Sequence, residues 1–143
     1  MKYKIFNDFQ EAKNAKLIRE KVFVEEQKFK NEFDDIDDIS WHLELYEDNR
    51  AIGCARMYTE DKKTYILGRI AVIKEYRGHR YGSMLVNILE EKAKELGAES
   101  IVLSAQKRAS HFYEKLGYKQ VGDIYYDEYC PHIKMIKNIK KSL

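Results

Sequence analysis

The spacing of apolar residues changes along the chain, and each change marks an element. Tyr3 to Phe6 is short and β-prone and reads as a first strand. From Phe9 the spacing turns helical, with Phe9, Ala12, Ala15, Ile18, Val22 and Phe23 on one face. Asp8 reads as the N-cap of that helix, with Glu11 in capping-box position. Gln27 to Ser40 is polar and acidic, a loop with room for a short helical piece. Trp41–Glu47 and Ala51–Glu60 read as strands joined by the turn Asp48-Asn49-Arg50. Asp61-Lys62-Lys63 then turns into a third hairpin strand, Tyr65 to Val72.

The clearest helix follows. Tyr81, Met84, Leu85, Ile88, Leu89, Ala93 and Leu96 share one face, and Gly97 is placed to end it. Ser100–Leu103 reads as a short buried strand. Ser104 reads as the cap of a helix that turns Ala105, Ala109, Phe112, Tyr113 and Leu116 inward and stops at Gly117. Tyr118–Val121 and Ile133–Ile139 close the chain as strands. The order is β-α-loop-β-β-β-α-β-α-β-β. A central β-α-β crossover requires parallel strands and the hairpins antiparallel ones. The expectation is an α/β (α+β) fold: a mixed sheet with helices on its faces.

Length and composition narrow the class. The 143 residues, with 44% apolar and 35% charged positions, predict one globular domain spanning residues 1–143. The chain has a single proline, Pro131, and no Ser/Gly-rich stretch that would serve as a linker. No apolar run reaches the roughly 18 residues of a membrane helix, and Met1-Lys2-Tyr3-Lys4-Ile5 lacks a signal-peptide core. The cytoplasm is the expected location, with no membrane partner. Cys54 reads as a small core residue, and Cys130 lies beside Pro131 in a turn. Neither has CxxC or CxxH spacing, and no metal is expected. A net charge of +2 supplies no field to recruit nucleic acid. The acidic run Glu32 to Asp38 reads as a solvated loop, and Lys134, Lys137, Lys140 and Lys141 as a solvated tail. The run lacks the glycine and terminal glutamate of a calcium loop.

Chemistry concentrates in Glu75-Tyr76-Arg77-Gly78-His79-Arg80-Tyr81-Gly82, between a strand ending at Val72 and a helix start. Unpaired N–H groups and the helix dipole make such a turn a pyrophosphate site. Glycine allows close approach of the backbone, and Arg77, Arg80 and His79 add charge. GxGxxG and GxxxxGK[ST] are both absent, so the turn is neither a Rossmann fingerprint nor a P-loop.

Over nearly its whole length the chain resembles the GNAT superfamily of N-acetyltransferases. That family's phosphate motif, [QR]-x-x-G-x-[GA] after a strand ending in "AV", is met by Ala71-Val72 and Arg77 to Gly82, with Arg80 in place of the middle glycine. Its second motif, N-x-x-A-x-x-F-Y-x-K-x-G-[FY], appears as Gln106 to Tyr118 with Gln for Asn. Val22 to Gln27, the Glu32-x-Asp34-x-x-Asp37 run, His42 and Pro131 to Met135 look like a bacterial subgroup of predicted acetyltransferases whose acceptor is open.

The resemblance implies a GNAT-like, mostly antiparallel sheet with helices on both faces, and acetyl-CoA as co-substrate. It implies a fourth strand with a bulge that splays from the fifth. The backbone of Ile70, Ala71 and Val72 would bond pantetheine amides, and Gly78, His79, Arg80, Tyr81, Gly82 and Ser83 with Arg77 would hold the pyrophosphate. Gln106 joins the cofactor-binding set, and Tyr113 occupies the general-acid position. Glu26, Glu32, His42 and His132 are candidates for the base. His132 is favoured because imidazole titrates near working pH. The acceptor would be an amine of a small molecule or peptide, and the acidic loop offers a cationic amine a place to dock. A CoA-binding regulatory domain without turnover is the alternative. Eleven tyrosines and the hydrophobic closing strands leave a homodimer open.

Overall fold

The computed structural model describes residues 2–140; Met1 and Lys141 lie outside them. Seven strands, β1 (Lys2–Phe6), β2 (Trp41–Glu47), β3 (Arg50–Thr59), β4 (Thr64–Val72), β5 (Ser100–Gln106), β6 (Lys119–Asp127) and β7 (Cys130–Asn138), form one sheet in the order β1-β2-β3-β4-β5-β7-β6. The β4–β5 pair is parallel, and β1–β2, β2–β3, β5–β7 and β6–β7 are antiparallel. The helices are α1 (Lys13–Arg19), continued by a π-helix (Glu20–Glu26), α2 (Tyr81–Glu95) and α3 (Ser110–Lys115). This is the mixed, mostly antiparallel α/β fold that the sequence predicts. Among the described residues no helix is long and apolar enough to cross a membrane.

The chain forms two compact units. Among the described residues, the first holds 2–58 and 68–89, the second 59–67 and 90–140. In the first unit, β2 and β3 pair Leu45 with Gly53 and Glu44 with Cys54, so these pairs alternate between the two sheet faces. The Ala15 amide donates to Glu44 Oε2 at 2.8 Å, which puts α1 on the Glu44 face. A Cβ added to Gly53 would lie 3.2 Å from Leu85 Cδ1, which puts the start of α2 on the other. Within this unit, helices cover both faces. Leu43, Leu45, Ile52, Met57, Leu85 and Leu89 are fully buried between these layers, each contributing about 1.5–3 kcal/mol by leaving water.

Two expectations fail near the N-terminus. Asp8 does not cap a helix. Its Oδ1 accepts the Gln10 amide in a turn, and α1 starts at Lys13 behind Ala12, without a side-chain cap. The helix then widens, as the Gln27 amide bonding the Val22 carbonyl (3.0 Å) shows. Arg19, Val22 and Phe23 face inward along this stretch.

In the second unit, Asp61 Oδ1 accepts the Lys63 and Thr64 amides and turns the chain into β4, whose pairing with β5 runs from Thr64↔Ser100 to Leu67↔Leu103. Gly97 (φ 90°) ends α2 as predicted, with the Ala98 amide reaching back to the Ala93 carbonyl at 2.9 Å. Glu90 is buried and takes hydrogen bonds from the Tyr118 hydroxyl (2.8 Å) and Lys137 Nζ (3.0 Å). Ser104 does not cap a helix, because β5 continues to Gln106 and α3 waits until Ser110. Ala105 packs as a strand residue, and Phe112, expected inside, is 36% exposed. Cys130 opens β7 rather than sitting in a turn, and the last hairpin is far longer than its sequence suggests.

Candidate functional site

The acidic segment is not a solvated loop. Glu32 and Asp37 are 5% and 1% exposed, and with Asp34 they meet three arginines. Arg19 lies 2.8 Å from Glu32 and 2.7 Å from Asp37; Arg56 lies 2.8 Å from Asp34 and 2.9 Å from Asp37. Arg69 completes the set at 2.9 Å from Glu32 and 3.4 Å from Asp34. Three carboxylates face three guanidinium groups. Burial without such pairing would cost several kcal/mol per ion. The segment's charge is therefore spent internally, which removes Glu32, Asp34 and Asp37 as attractors for a cationic acceptor. Arg56 and Arg19 hold the Asp37 carboxyl below its usual range against the opposing effect of burial.

This cluster reaches the strand that carries the candidate site. Arg69, inside β4, has φ 51°, a left-handed conformation uncommon for a non-glycine residue. Its side chain also donates to the Glu32 carbonyl at 2.8 Å, and its own carbonyl accepts the Cys54 thiol at 3.6 Å. Burial pushes that thiol up to about 12, as expected of an inert core cysteine. The irregularity at Arg69 precedes Ile70, Ala71 and Val72, of which Ala71 is buried and the other two half-buried.

After β4 the chain makes a short turn of 3₁₀-helix at Lys74–Tyr76 and then the loop to α2. Gly78 (φ 86°) and Arg80 (φ 66°) both adopt the left-handed region. The first bond of α2 runs from the Met84 amide to the Arg80 carbonyl at 3.2 Å, so the amides of Tyr81, Gly82 and Ser83 have no acceptor within the helix. The amides of Gly78, His79 and Arg80 also lack partners among the described residues. Six consecutive donors at a helix N-terminus suit an anion. The side chains around them differ in availability. The Tyr81 hydroxyl donates to Glu47, His79 packs its ring 6.1 Å from that of Tyr81, and Arg77 pairs with Glu26. In the same unit an open cavity of about 530 Å³ is lined by Glu20, Val24, Glu25, Lys30, Asn31, Glu32 and Phe33.

The base candidates in this unit are engaged elsewhere. Glu32 is locked to Arg19 and Arg69, and Glu26 to Arg77. His42 is 1% exposed, bonds the Asp37 carbonyl through Nε2 at 2.8 Å, and lies tilted against Phe9 with ring centres 4.8 Å apart. Its Nδ1 is buried without a partner, which fits a neutral ring; burial lowers its pKa.

The second unit carries the remaining candidates. Gln106 ends β5 opposite His132 and accepts a hydrogen bond from Arg108 at 2.9 Å. Tyr113 is half-buried on α3, edge-on to Phe112 (4.9 Å) and Tyr118 (6.1 Å), and burial pushes its phenol up to about 12. His132 Nδ1 lies 2.9 Å from the Cys130 carbonyl, and its ring stacks 6.0 Å from Tyr125. Tyr125, whose hydroxyl also meets Ser104, escaped the sequence reading, as did Arg69. An arginine inside a β-pattern, with an acidic run upstream, was the signal available for the latter.

Residues 3–118 match the Acetyltransferase (GNAT) family. The chain is 33% identical over 141 residues to the uncharacterized N-acetyltransferase YjcF of Bacillus subtilis (strain 168), covering 96% of this chain and all (100%) of that protein. Its fold matches the crystal structure of a candidate N-acetyltransferase from Lactobacillus plantarum with a TM-score of 0.89 at 28% identity, over 97% of this chain and 98% of that one. An acyl-CoA N-acyltransferase from Pseudomonas aeruginosa shares the fold with a TM-score of 0.84 at 23% identity, over 95% and 98% of the two chains. The chain therefore belongs to the GNAT acetyltransferase family and is an acyl-CoA-dependent N-acyltransferase.

Proposed function

We propose that the chain transfers the acetyl group of acetyl-CoA to an amine of a small molecule or peptide by direct attack, with residues 1–143 acting as one catalytic domain. The observation that carries this reading is the run of unpartnered amides from Gly78 to Ser83 at the start of α2, directly after the irregular strand β4. In the proposed complex the diphosphate of the co-substrate sits on those amides, and the backbone of Ile70, Ala71 and Val72 bonds the pantetheine arm. Gln106 is the further residue of the proposed cofactor-binding set.

The amine nitrogen attacks the thioester carbonyl carbon, the carbon–sulfur bond breaks with its electron pair on sulfur, and the proton that nitrogen then sheds restores the one Tyr113 gives that sulfur. The attacking amine must be neutral. A lysine-like amine with a pKa of about 10.4 is neutral roughly once in 2,500 molecules at pH 7, so a base that takes its proton is worth about 10²- to 10⁴-fold. His132 is the proposed base. Tyr113 delivers a proton to the leaving sulfur, and a phenol raised to about 12 stays protonated throughout the working range.

Release of CoA thiol from acetyl-CoA, measured over aminoglycosides, polyamines, amino acids and peptides, tests the proposal. Amine-dependent release above the hydrolytic background is expected. Tight CoA binding in calorimetry without release over the whole panel would replace it with the regulatory reading.

A further inference from the structure

Arg77 stands first in the phosphate-loop motif, yet its guanidinium is already committed to protein. Nε donates to the Val72 carbonyl at 2.9 Å, and Nη1 and Nη2 donate to the two carboxylate oxygens of Glu26 at 2.6 and 2.8 Å. Val72 is the last residue of β4, and Glu26 is the last of the π-helix. One planar group thus closes residues 72–77 into a ring and ties that ring to the end of the helix. The bidentate geometry is the strong form of an arginine–carboxylate pair. The pair is also charge-neutral, so it offers an incoming anion little unless the carboxylate is first displaced. Arg80 is the opposite case. It holds a strained φ of 66°, and its side chain has no partner among the described residues.

We propose that Glu26 and Arg77 are positioning residues of the diphosphate loop, with Arg77 acting through Glu26 and the Val72 carbonyl rather than on phosphate. The anion is then held by the amides of residues 78–83, and Arg80 supplies the side-chain charge. This rests on the cofactor site proposed above. Both Glu26 and Arg77 are more than a third exposed, at 37% and 39% of the side chain. An exposed pair contributes little to global stability, so its removal should be felt in the loop and not in the fold.

Two measurements on the full chain test this. In calorimetric titration with CoA, Glu26→Ala and Arg77→Ala should each weaken binding about tenfold through loss of loop geometry. The double variant should be no weaker than the worse single one. Arg77→Lys should resemble Arg77→Ala, because an ammonium cannot span both carboxylate oxygens and the carbonyl. Arg80→Ala should weaken binding and flatten its salt dependence. Glu26→Ala binding CoA as tightly as the parent or tighter, with Arg77→Lys retaining affinity, would make Arg77 a phosphate ligand and overturn the proposal. In the ligand-free protein, exchange of the Tyr76 and Arg77 amides, which donate to the Ile73 and Lys74 carbonyls, should accelerate in Glu26→Ala and Arg77→Ala, and unchanged exchange at both would also overturn it. If the parent protein takes up no CoA, the cofactor site fails, while the exchange result still judges the positioning role.

Discussion

Arg69 Nε lies 2.9 Å from Glu32 Oε2, and this contact anchors the point where β4 leaves regular strand geometry. A left-handed arginine is costly on its own, and the pair with Glu32 is what over-determines it. Because Glu32 also holds Arg19, its removal leaves Arg19, 1% exposed, with Asp37 and Arg69 with Asp34 as their remaining carboxylate partners. Glu32→Ala should lower stability by about 1–3 kcal/mol, read as a shift of the urea midpoint. Its KM for acyl-CoA should rise as well, since Ile70 to Val72 follow directly.

His42 gives this unit a pH dependence with a definite sign. Its folded pKa lies below its ordinary value of about 6.5, because burial disfavours the imidazolium. The unfolded chain therefore binds the proton first as pH falls. Stability should be complete above about pH 6.5 and decline from there toward pH 5. Denaturant titrations at several pH values should show this slope in the parent and a flatter one in His42→Asn. Asp34 and Asp37, held low by Arg56 and Arg19, add their own loss only below about pH 4.

Gly53 has no room for a methyl group. A Cβ there would stand 3.2 Å from the Ala71 carbonyl oxygen and 3.2 Å from Leu85 Cδ1. Leu85 can shift a few tenths of an ångström, whereas a strand carbonyl cannot do so alone. Gly53→Ala should cost about 1–3 kcal/mol in thermal or urea unfolding.

Tyr113→Phe removes one hydroxyl from a half-buried aromatic cluster and should leave unfolding almost unchanged. If the phenol protonates the departing sulfur, kcat should fall by about 10²-fold with KM for acyl-CoA retained. Full turnover in the thiol-release assay would withdraw the role from Tyr113.

Arg80→Gly sets strain against binding. Relief of the left-handed conformation is worth about 1–2 kcal/mol, and the added chain entropy of glycine takes back about 0.5–1 kcal/mol. The variant should melt slightly higher than the parent and bind CoA less tightly. Thermal unfolding and calorimetry on the same sample would show both changes.

What could be read from the sequence was what is encoded locally. The face from Tyr81 to Ala93, which Leu96 (38% exposed) does not join, the stop at Gly97 and the turn from Arg77 to Gly82 depend on residues a few positions apart. The ion cluster does not. Its partners stand 13, 19 and 37 positions apart for Arg19–Glu32, Arg56–Asp37 and Arg69–Glu32. A charged run gives no sign of which arginines will meet it, so it read as solvent-facing. Asp8 and Glu11 had capping spacing, but the helix began at Lys13, where nothing in the side chains announced it. The strand β6 was cut short for a different reason. All nine of its residues are exposed, so it has no buried stripe to show, and Gly122 (φ 79°) interrupts its pairing. The Glu26–Arg77 pair combined both obstacles, distance and exposure.

A π-helix is what an α-helix becomes when one residue is inserted without breaking it. Winding the same seven residues at 3.6 per turn would leave that extra residue unabsorbed. Every residue beyond them would then swing by roughly 100° about the axis, carrying the Glu26 carboxylate away from the guanidinium it now grips. The winding of seven residues thus acts as an adjusting screw for a loop fifty positions downstream, and a substitution that rewound it as an ordinary α-helix would detune the enzyme without unfolding it.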